Sequence, residues 1–300
     1  MDVIQFEPRI RCTNCNASLP STAHHIDLYL RGQNPTCPDC GKILDWWIVV
    51  LREIRDNFMF NQAFAPIGAT STIFKVKLKP GEPTHYKFTD HGISSDAKVL
   101  YVNYTPNAPA RNALFPLEVH GNIPTRRRIA DEVTLFPMPL GEGSTHVETE
   151  VTVYATWIPH TADDNAWLSL VDAFEAYAAD RYEAAIVPAN VAVESTLSRF
   201  LAEYISQYAS RKRIDEFLLD AATYTHQLNI IMPLVASLGG LPKLPDAIRG
   251  RLNRLRYLRN QIAHHGSTVT PLAKEDVAEV LCAALFGFRY IRLIEAEYAT

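Results

Sequence analysis

The chain has 300 residues, of which 47% are hydrophobic and 21% are charged, and its formal net charge is −4. This length predicts two or three domains with separate apolar cores. The slightly acidic balance excludes a polycationic nucleic-acid-binding protein, so any contact with RNA must come from a local patch. No apolar run reaches the roughly 18 residues of a membrane-spanning helix, and the N-terminus lacks a secretory pattern. We therefore expect a cytoplasmic protein without a membrane partner.

Two C-x-x-C pairs lie near the N-terminus, Cys12 with Cys15 and Cys37 with Cys40. Two thiols at this spacing can turn back on one ion, and the second pair completes a tetrahedron. We therefore predict one structural Zn²⁺ ion in a zinc-ribbon-like module over residues 1–60. Four cysteine ligands leave no open position for water, so this ion has no role in catalysis. The alternative is a pair of disulfides or four free thiols.

The residues near the pairs have simpler interpretations. His24 and His25 lie between the pairs and could replace one ligand, but four cysteines already satisfy the ion. Trp46 and Trp47 begin an apolar run, which favours packing against the next part of the protein over stacking on bases. Cys282 stands alone in an apolar stretch and is predicted to be a buried, inert thiol.

Residues 61–160 are rich in proline, glycine, threonine and valine. Segments such as STIFKVKLK, AKVLYVNY and HVETEVTVYATWI alternate or run apolar, and no helical pattern separates them. This arrangement predicts an antiparallel β-sandwich or small barrel rather than a parallel sheet. We interpret the segment as a candidate sensor domain for an unidentified ligand or protein.

Residues 161–300 have a different composition, dominated by alanine, leucine, glutamate and arginine. Five helices joined by short connections predict an all-α, up-and-down bundle, so the whole chain is a multidomain α+β protein. The predicted helices cover about residues 164–179, 182–208, 211–237, 246–265 and 271–298.

The second predicted helix has side chains that recur at steps of three and four, which predicts one buried stripe. An unpaired carboxylate within such a stripe would be costly, so Glu194 needs a partner or lies at the edge of the stripe. The stripe consists of Val187, Val191, Glu194, Ser198, Leu201, Ile205 and Tyr208.

The fourth predicted helix reads DAIRGRLNRLRYLRNQIAHHG, and its leucines and isoleucines cluster on one arc. Arg249, Arg251, Arg254 and Arg256 lie on the same helix, where no acid separates them. Guanidinium groups suit forked contacts with phosphate oxygens, so these four are candidate RNA-binding residues. Plain solvation or intrahelical pairing is the alternative for the arginine face.

The end of this helix carries Arg259, Asn260 and His264, and four residues separate Arg259 from His264. With its position near the end of a helical bundle, this pattern resembles the HEPN (higher eukaryotes and prokaryotes nucleotide-binding) family over about residues 162–300. Ribonuclease members of that family carry an arginine, a polar residue and, a few residues later, a histidine. The resemblance implies a homodimer in which two copies of the helix line one cleft.

Histidine can move protons near neutral pH, and arginine supplies fixed positive charge for a crowded phosphate. The resemblance therefore implies metal-independent cleavage of single-stranded or looped RNA by Arg259, Asn260 and His264. His265 is the rival histidine, since neighbouring side chains point about 100° apart on a helix. Glu194 is a candidate to orient Arg259, as acidic residues on the equivalent helix do in relatives.

Some HEPN-like domains do not cleave RNA, so the alternative function is a non-catalytic nucleotide- or RNA-binding protein that dimerises or senses. An intact Arg259–His264 pair favours the nuclease. A nuclease of this kind needs restraint, and relatives with this organisation often act in antiphage defence. We accordingly expect a regulated toxin or defence effector whose catalysis needs no cofactor.

Overall fold

The computed structural model describes residues 3–6, 9–20, 23–56, 69–79, 82–95, 97–106, 117–121, 132–137, 148–158 and 165–299. The chain forms two compact units, each built from two separate stretches of sequence. The first unit contains Met1–Pro8 and Gly68–Asp163, and the second contains Arg9–Ile67 and Asp164–Thr300. The cysteine pairs therefore belong to the same unit as the C-terminal helices.

The first unit consists of antiparallel strands, as the alternating segments predicted. One sheet has four strands in the order β1-β4-β9-β6, and the other has three in the order β5-β8-β7. Both are purely antiparallel. The strands are β1 (Ile4–Phe6), β4 (Thr70–Leu78), β5 (Thr84–Lys87), β6 (Lys98–Pro106), β7 (Leu117–Gly121), β8 (Glu132–Pro137) and β9 (Thr149–Ile158).

Strands from both sheets contribute to the apolar core of this unit. On β4, Phe74 is fully buried and lies opposite Val153 of β9 in the antiparallel register. The ring of Tyr86, from β5, meets the ring of Phe74 edge-on with centroids 5.5 Å apart. Alternation of buried and exposed residues along β4 thus places one face of the larger sheet against the core.

The second unit combines a small hairpin with helices. Its hairpin and first two helices come from the N-terminal stretch, and the remaining helices come from the C-terminal stretch. The elements are β2 (Arg9–Arg11), β3 (Ser18–Pro20), α1 (Ala23–Leu30), α2 (Trp46–Asp56), α3 (Asn165–Ala178), α4 (Tyr182–Ile205), α5 (Arg211–Glu216), α6 (Tyr224–His226), α7 (Met232–Leu238), α8 (Asp246–His265) and α9 (Lys274–Ala299). No helix of the described residues is long and apolar enough to cross a membrane.

The predicted helix over 211–237 is not continuous. Two π-helical turns, Phe217–Ala221 and Gln227–Ile231, flank a break at which Thr223 has an extended backbone. The buried side chain of Gln227 donates to the carbonyl of Ala222 at 2.8 Å, which satisfies a carbonyl that the break releases. Composition alone did not reveal this interruption because residues 217–231 contain no glycine or proline.

The predicted stripe on α4 has the wrong phase. Val187 and Val191 are 36% and 38% exposed, and Tyr208 lies beyond the end of the helix and is 74% exposed. The buried side of α4 runs instead through Ile186, Asn190, Val193 and Leu197, and of the predicted stripe only Leu201 is buried. Apolar residues occur on both sides of this helix, so its contacts with neighbouring helices decide which side is covered.

The arginine helix α8 packs by its leucines, as predicted. Leu252, Leu255 and Leu258 are buried, and the helix ends at Gly266 in the left-handed conformation with φ +78°. Gly287 of α9 allows a close approach, since a Cβ atom built there would lie 2.9 Å from Cδ1 of Leu252. This contact positions the exposed face of α8 relative to the rest of the helical unit.

Candidate metal centre and candidate RNA-cleaving site

Both cysteine pairs lie in tight turns of similar construction. After the first pair, Asn16 has φ +59° and its amide donates to the carbonyl of Cys12. After the second pair, Gly41 has φ +69° and its amide donates to the carbonyl of Cys37. A left-handed residue at this place folds the chain back, so that both thiols of a pair face the same point.

The four sulfur atoms form a compact cluster. The Sγ atoms of Cys12 and Cys40 are 3.9 Å apart, those of Cys15 and Cys37 are 3.8 Å apart, and all four lie within 4.8 Å of one another. Sulfurs at tetrahedral positions around an ion with about 2.3 Å bonds would be about 3.8 Å apart. A disulfide needs about 2 Å, and all five cysteines are free. The cluster can therefore hold a metal ion, and the disulfide alternative is wrong.

Hydrogen bonds join the two turns and lower the pKa of one candidate ligand. The Lys42 ammonium donates to the side-chain oxygen of Asn14 at 2.8 Å, which links one turn to the other. A backbone hydrogen bond from Lys42 lowers the pKa of the Cys40 thiol to about 6. Within the described residues, the ligand cluster contains only cysteines, since His25 stacks on the ring of Trp46 at 4.8 Å.

The segment that carries the first cysteine pair is attached to α2. The guanidinium of Arg52 donates to the carbonyls of Arg11 and Cys12, and the carboxylate of Glu53 accepts from the amide of Arg11 at 3.0 Å. Trp46 and Trp47 are 1% and 5% exposed, which confirms that they pack inside the protein. Cys282 is fully buried and burial raises the pKa of its thiol, as expected for an inert group.

The last turns of α8 carry the predicted catalytic residues. Arg259 and Asn260 are half-buried, and the guanidinium donates to the side-chain oxygen of Asn260 at 3.1 Å. His264 and His265 are both exposed, with ring centroids 6.5 Å apart. Neither histidine lies in a packed core. Arg259 and His264 share the same end of one helix, about 140° apart around its axis.

The first half of α4 lies beside this end of α8. The carboxylate of Glu183 accepts from the amide of Thr268 at 2.9 Å and from its hydroxyl at 2.5 Å. These two bonds lower the pKa of the Glu183 carboxyl. They tie the beginning of α4 to the segment that follows α8, so the two helices run antiparallel here.

Glu194 is not the hydrogen-bond partner of Arg259 in this structure. Its carboxylate accepts from the side-chain nitrogen of Asn190 at 2.8 Å. Among the hydrogen bonds and ion pairs of the described residues, Glu194 and Arg259 form no pair, and Arg259 bonds to Asn260 instead. Asn190 lies one helical turn before Glu194, so the two side chains meet on the same side of α4.

Glu194 has buried polar groups as neighbours. Asn190 Oδ1, the Tyr224 hydroxyl and Arg256 Nε have no hydrogen-bond partner among the described protein atoms. Burial raises the pKa of Tyr224 most, Glu194 raises it further, and Arg256 lowers it. Neither Asn190 nor Tyr224 stands out in the sequence as a functional residue. An asparagine four residues before a glutamate within an apolar helix was the one available signal.

The four arginines predicted to bind RNA do not form a single exposed row. Arg249 pairs with Asp246 of its own helix at 2.6 Å, and Arg251 pairs with Glu279 at 2.9 Å. Arg256 is half-buried, whereas Arg254 is exposed, with its guanidinium 5.3 Å from the ring centre of Tyr257.

Comparisons of the chain with protein-family models, with curated proteins and with solved structures found no match. The HEPN resemblance therefore depends on the residues of this chain alone. The firmest chemical assignment among the described residues is a four-cysteine cluster that can hold a metal ion.

Proposed function

We propose that this chain is a metal-independent endoribonuclease that acts as a homodimer on single-stranded or looped RNA. The observation that carries the proposal is the end of α8. There Arg259 and Asn260 are joined by a hydrogen bond and half-exposed, and His264 is exposed one turn further on. All three side chains are accessible from one helix end, as a HEPN-like cleavage site would require.

The proposed chemistry uses the RNA itself as nucleophile. A 2′-hydroxyl attacks its own phosphorus, the 5′-oxygen leaves, and the products carry a 2′,3′-cyclic phosphate and a 5′-hydroxyl. His264 transfers a proton in this step, and Arg259 stabilises the negative charge on the phosphorane oxygens. Asn260 holds the guanidinium in place through the 3.1 Å hydrogen bond. No metal ion is needed for any of these roles.

One chain places Arg259 and His264 too far around the helix to embrace a single phosphate, so a second copy is part of the proposal. An exposed apolar strip on α4, a helix that packs against α8, supports that step. Val187 and Val191 of α4 are more than one-third exposed, one turn apart on one side of the helix. A second copy that covers these valines removes apolar surface from water, which stabilises the dimer.

The test is incubation of the purified chain with a structured RNA in magnesium-free buffer, without a strong chelator that would remove metal from the cysteines. We expect cleavage products with cyclic phosphate ends. His264→Ala should lower the rate by about 100-fold or more. His226→Ala is the matched control, since His226 is also exposed but lies on α6. Equal rates for wild type and His264→Ala would refute the assignment of the histidine.

The dimer has its own test, independent of cleavage. Val191→Glu places a charge on the exposed strip of α4 and should convert a dimer into a monomer in analytical ultracentrifugation. Ser195→Glu, also exposed and four residues further along the helix, maps how far the contact extends. A wild-type chain that is monomeric at micromolar concentration would contradict the proposal.

We further propose that the ion of the cysteine cluster is Zn²⁺ and that its role is structural, since four thiolates fill a tetrahedral coordination shell. Elemental analysis should find about one zinc per chain in the wild type. Cys37→Ser removes one of the two buried ligands and should abolish stoichiometric zinc. Iron or no metal in the wild type would contradict the zinc assignment.

A non-catalytic nucleotide- or RNA-binding dimer is the alternative. Arg249 and Arg251 are engaged within the protein, so cleavage and binding alike have fewer free cations for RNA than the sequence indicated. RNA that binds without being cut, in wild type and His264→Ala alike, would support this alternative. If cleavage occurs, a regulated toxin or antiphage effector, with the β unit as its sensor, is the proposed biological role.

A further inference from the structure

Arg251 differs from the other arginines of α8 in its surroundings. Its Nε donates to the carboxylate of Glu279 on α9 at 2.9 Å, and its Nη1 donates to the carbonyl of Ala247 at 3.2 Å. On another side, its guanidinium carbon lies 5.6 Å from the ring centre of Trp47 on α2. One side chain thus joins three helices, α2, α8 and α9, through an ion pair and a cation–π contact.

The Trp47 side of this contact leads directly to the metal ligands. Trp47 is buried and packs edge-on against the ring of Phe286 at 5.3 Å. Five residues further along α2, Arg52 donates to the carbonyl of Cys12 at 3.4 Å. The helix that touches Arg251 therefore also holds the chain beside a cysteine of the metal cluster.

Helix α1, which lies between the two cysteine pairs, is attached to the same part of the bundle. Asp27 forms a two-bond ion pair with Arg289 of α9, with distances of 2.6 and 3.1 Å. The ring of Tyr29 meets the ring of Phe286 edge-on at 5.5 Å. The metal segment is thus a part of the helical unit and not a freely moving appendage.

We propose that Arg251 is a positioning residue that couples metal binding at the cysteine cluster to the placement of the arginine helix. Metal binding orders the segment that contains α1 and α2, and that order fixes Trp47. Trp47 and Glu279 together hold Arg251, and with it the helix whose end carries the candidate cleavage residues. RNA binding is accordingly not the main role of this arginine.

Coupling of this kind is reciprocal. If the metal stabilises the contact between α2 and α8, then loss of that contact must weaken metal binding by the same factor. The assay is chelator competition on the full chain, in which zinc loss is measured with a colorimetric zinc indicator. We expect Arg251→Gln to release zinc at several-fold lower chelator concentration than the wild type. A merely local structural role of Arg251 would not change this value.

Two further variants keep the experiment decisive. Arg249→Gln is the matched control, because it removes an arginine two residues away whose ion pair is with Asp246 of its own helix. This control should release zinc like the wild type. Arg251→Lys retains the charge but not the planar fork and should restore the affinity only in part. If all three variants bind zinc as tightly as the wild type, the coupling does not exist.

The consequence for cleavage depends on the proposed function, and its outcome is separable. With an active wild type, Arg251→Gln should lower kcat and leave KM nearly unchanged, because the helix end is misplaced while RNA still binds. A matched fall in RNA affinity would instead make Arg251 an RNA contact. If the wild type cleaves no RNA, the proposed function fails, whereas the zinc competition still decides the coupling.

Discussion

The contact between helices α8 and α9 provides a quantitative test of the fold. Leu252 of α8 is fully buried above Gly287 of α9. A Cβ atom at residue 287 would lie 2.9, 3.2 and 3.6 Å from Cδ1, Cδ2 and Cγ of the leucine. Those three carbons are the atoms that Leu252→Ala removes. The two substitutions therefore act on one and the same volume.

The expected free energies follow from this geometry. Leu252→Ala should lower the free energy of unfolding by about 3 kcal/mol or more, through lost apolar burial and the cavity left behind. Gly287→Ala overpacks the contact at a cost of about 1–3 kcal/mol, offset in part by a helix-propensity gain of about 0.5–1 kcal/mol. In the double variant the new methyl enters the space of the missing carbons. The double variant should therefore lose about 1–2 kcal/mol less unfolding free energy than the two single variants added together.

The assay is urea unfolding of all four proteins, followed by the helical circular dichroism signal in zinc-containing buffer. Equal slopes of the unfolding transitions are required before the midpoints are compared. Additive losses within about 0.3 kcal/mol would refute the reasoning, because they would mean that residues 252 and 287 do not share a contact. Gly250→Ala is the control, since a Cβ atom at that position of α8 meets open space.

Three other predictions concern groups outside that contact. Burial lowers the pKa of His91 from its usual value near 6.5, so the unfolded chain binds a proton at higher pH than the folded chain does. The free energy of unfolding should therefore fall as the pH drops below about 6.5. In thermal unfolding, His91→Phe should flatten that part of the plot of stability against pH. Asp27→Asn breaks the half-buried ion pair with Arg289 and should lower the free energy of unfolding by about 1–2 kcal/mol, between the values for exposed and buried pairs. A change below about 0.3 kcal/mol would show that the pair is solvated. Glu183→Gln weakens two hydrogen bonds from Thr268 and should accelerate hydrogen exchange at the Thr268 amide; unchanged exchange would mean that other contacts hold this segment.

The cysteine cluster was predictable because its signal is local. Two thiols three residues apart, followed by a residue able to adopt positive φ, leave few arrangements other than a turn around an ion. Asn16 and Gly41 provide that conformation in the two turns. The bounds of α8 were equally accessible, since Pro245 precedes its start and Gly266 caps its end. Capping depends on a few neighbouring residues and on no distant contact.

The partners of the polar side chains were not predictable in the same way. Glu194 needed a partner, but the sequence could not choose among groups on three helices, and the structure pairs it with Asn190. Arg251 and Arg254 look equivalent in sequence, three residues apart on one helix. One meets a tryptophan from the distant N-terminal segment, and the other remains exposed.

By itself, then, the sequence determined the elements that short-range chemistry controls: the cysteine turns, the alternation of the strands and the ends of the arginine helix. Tertiary structure alone decided the exposed side of α4, the break at Thr223 and the membership of the cysteine segment in the helical unit. Each of these depends on which surfaces meet across long sequence separations. The energies of such contacts are comparable to local preferences and can override them.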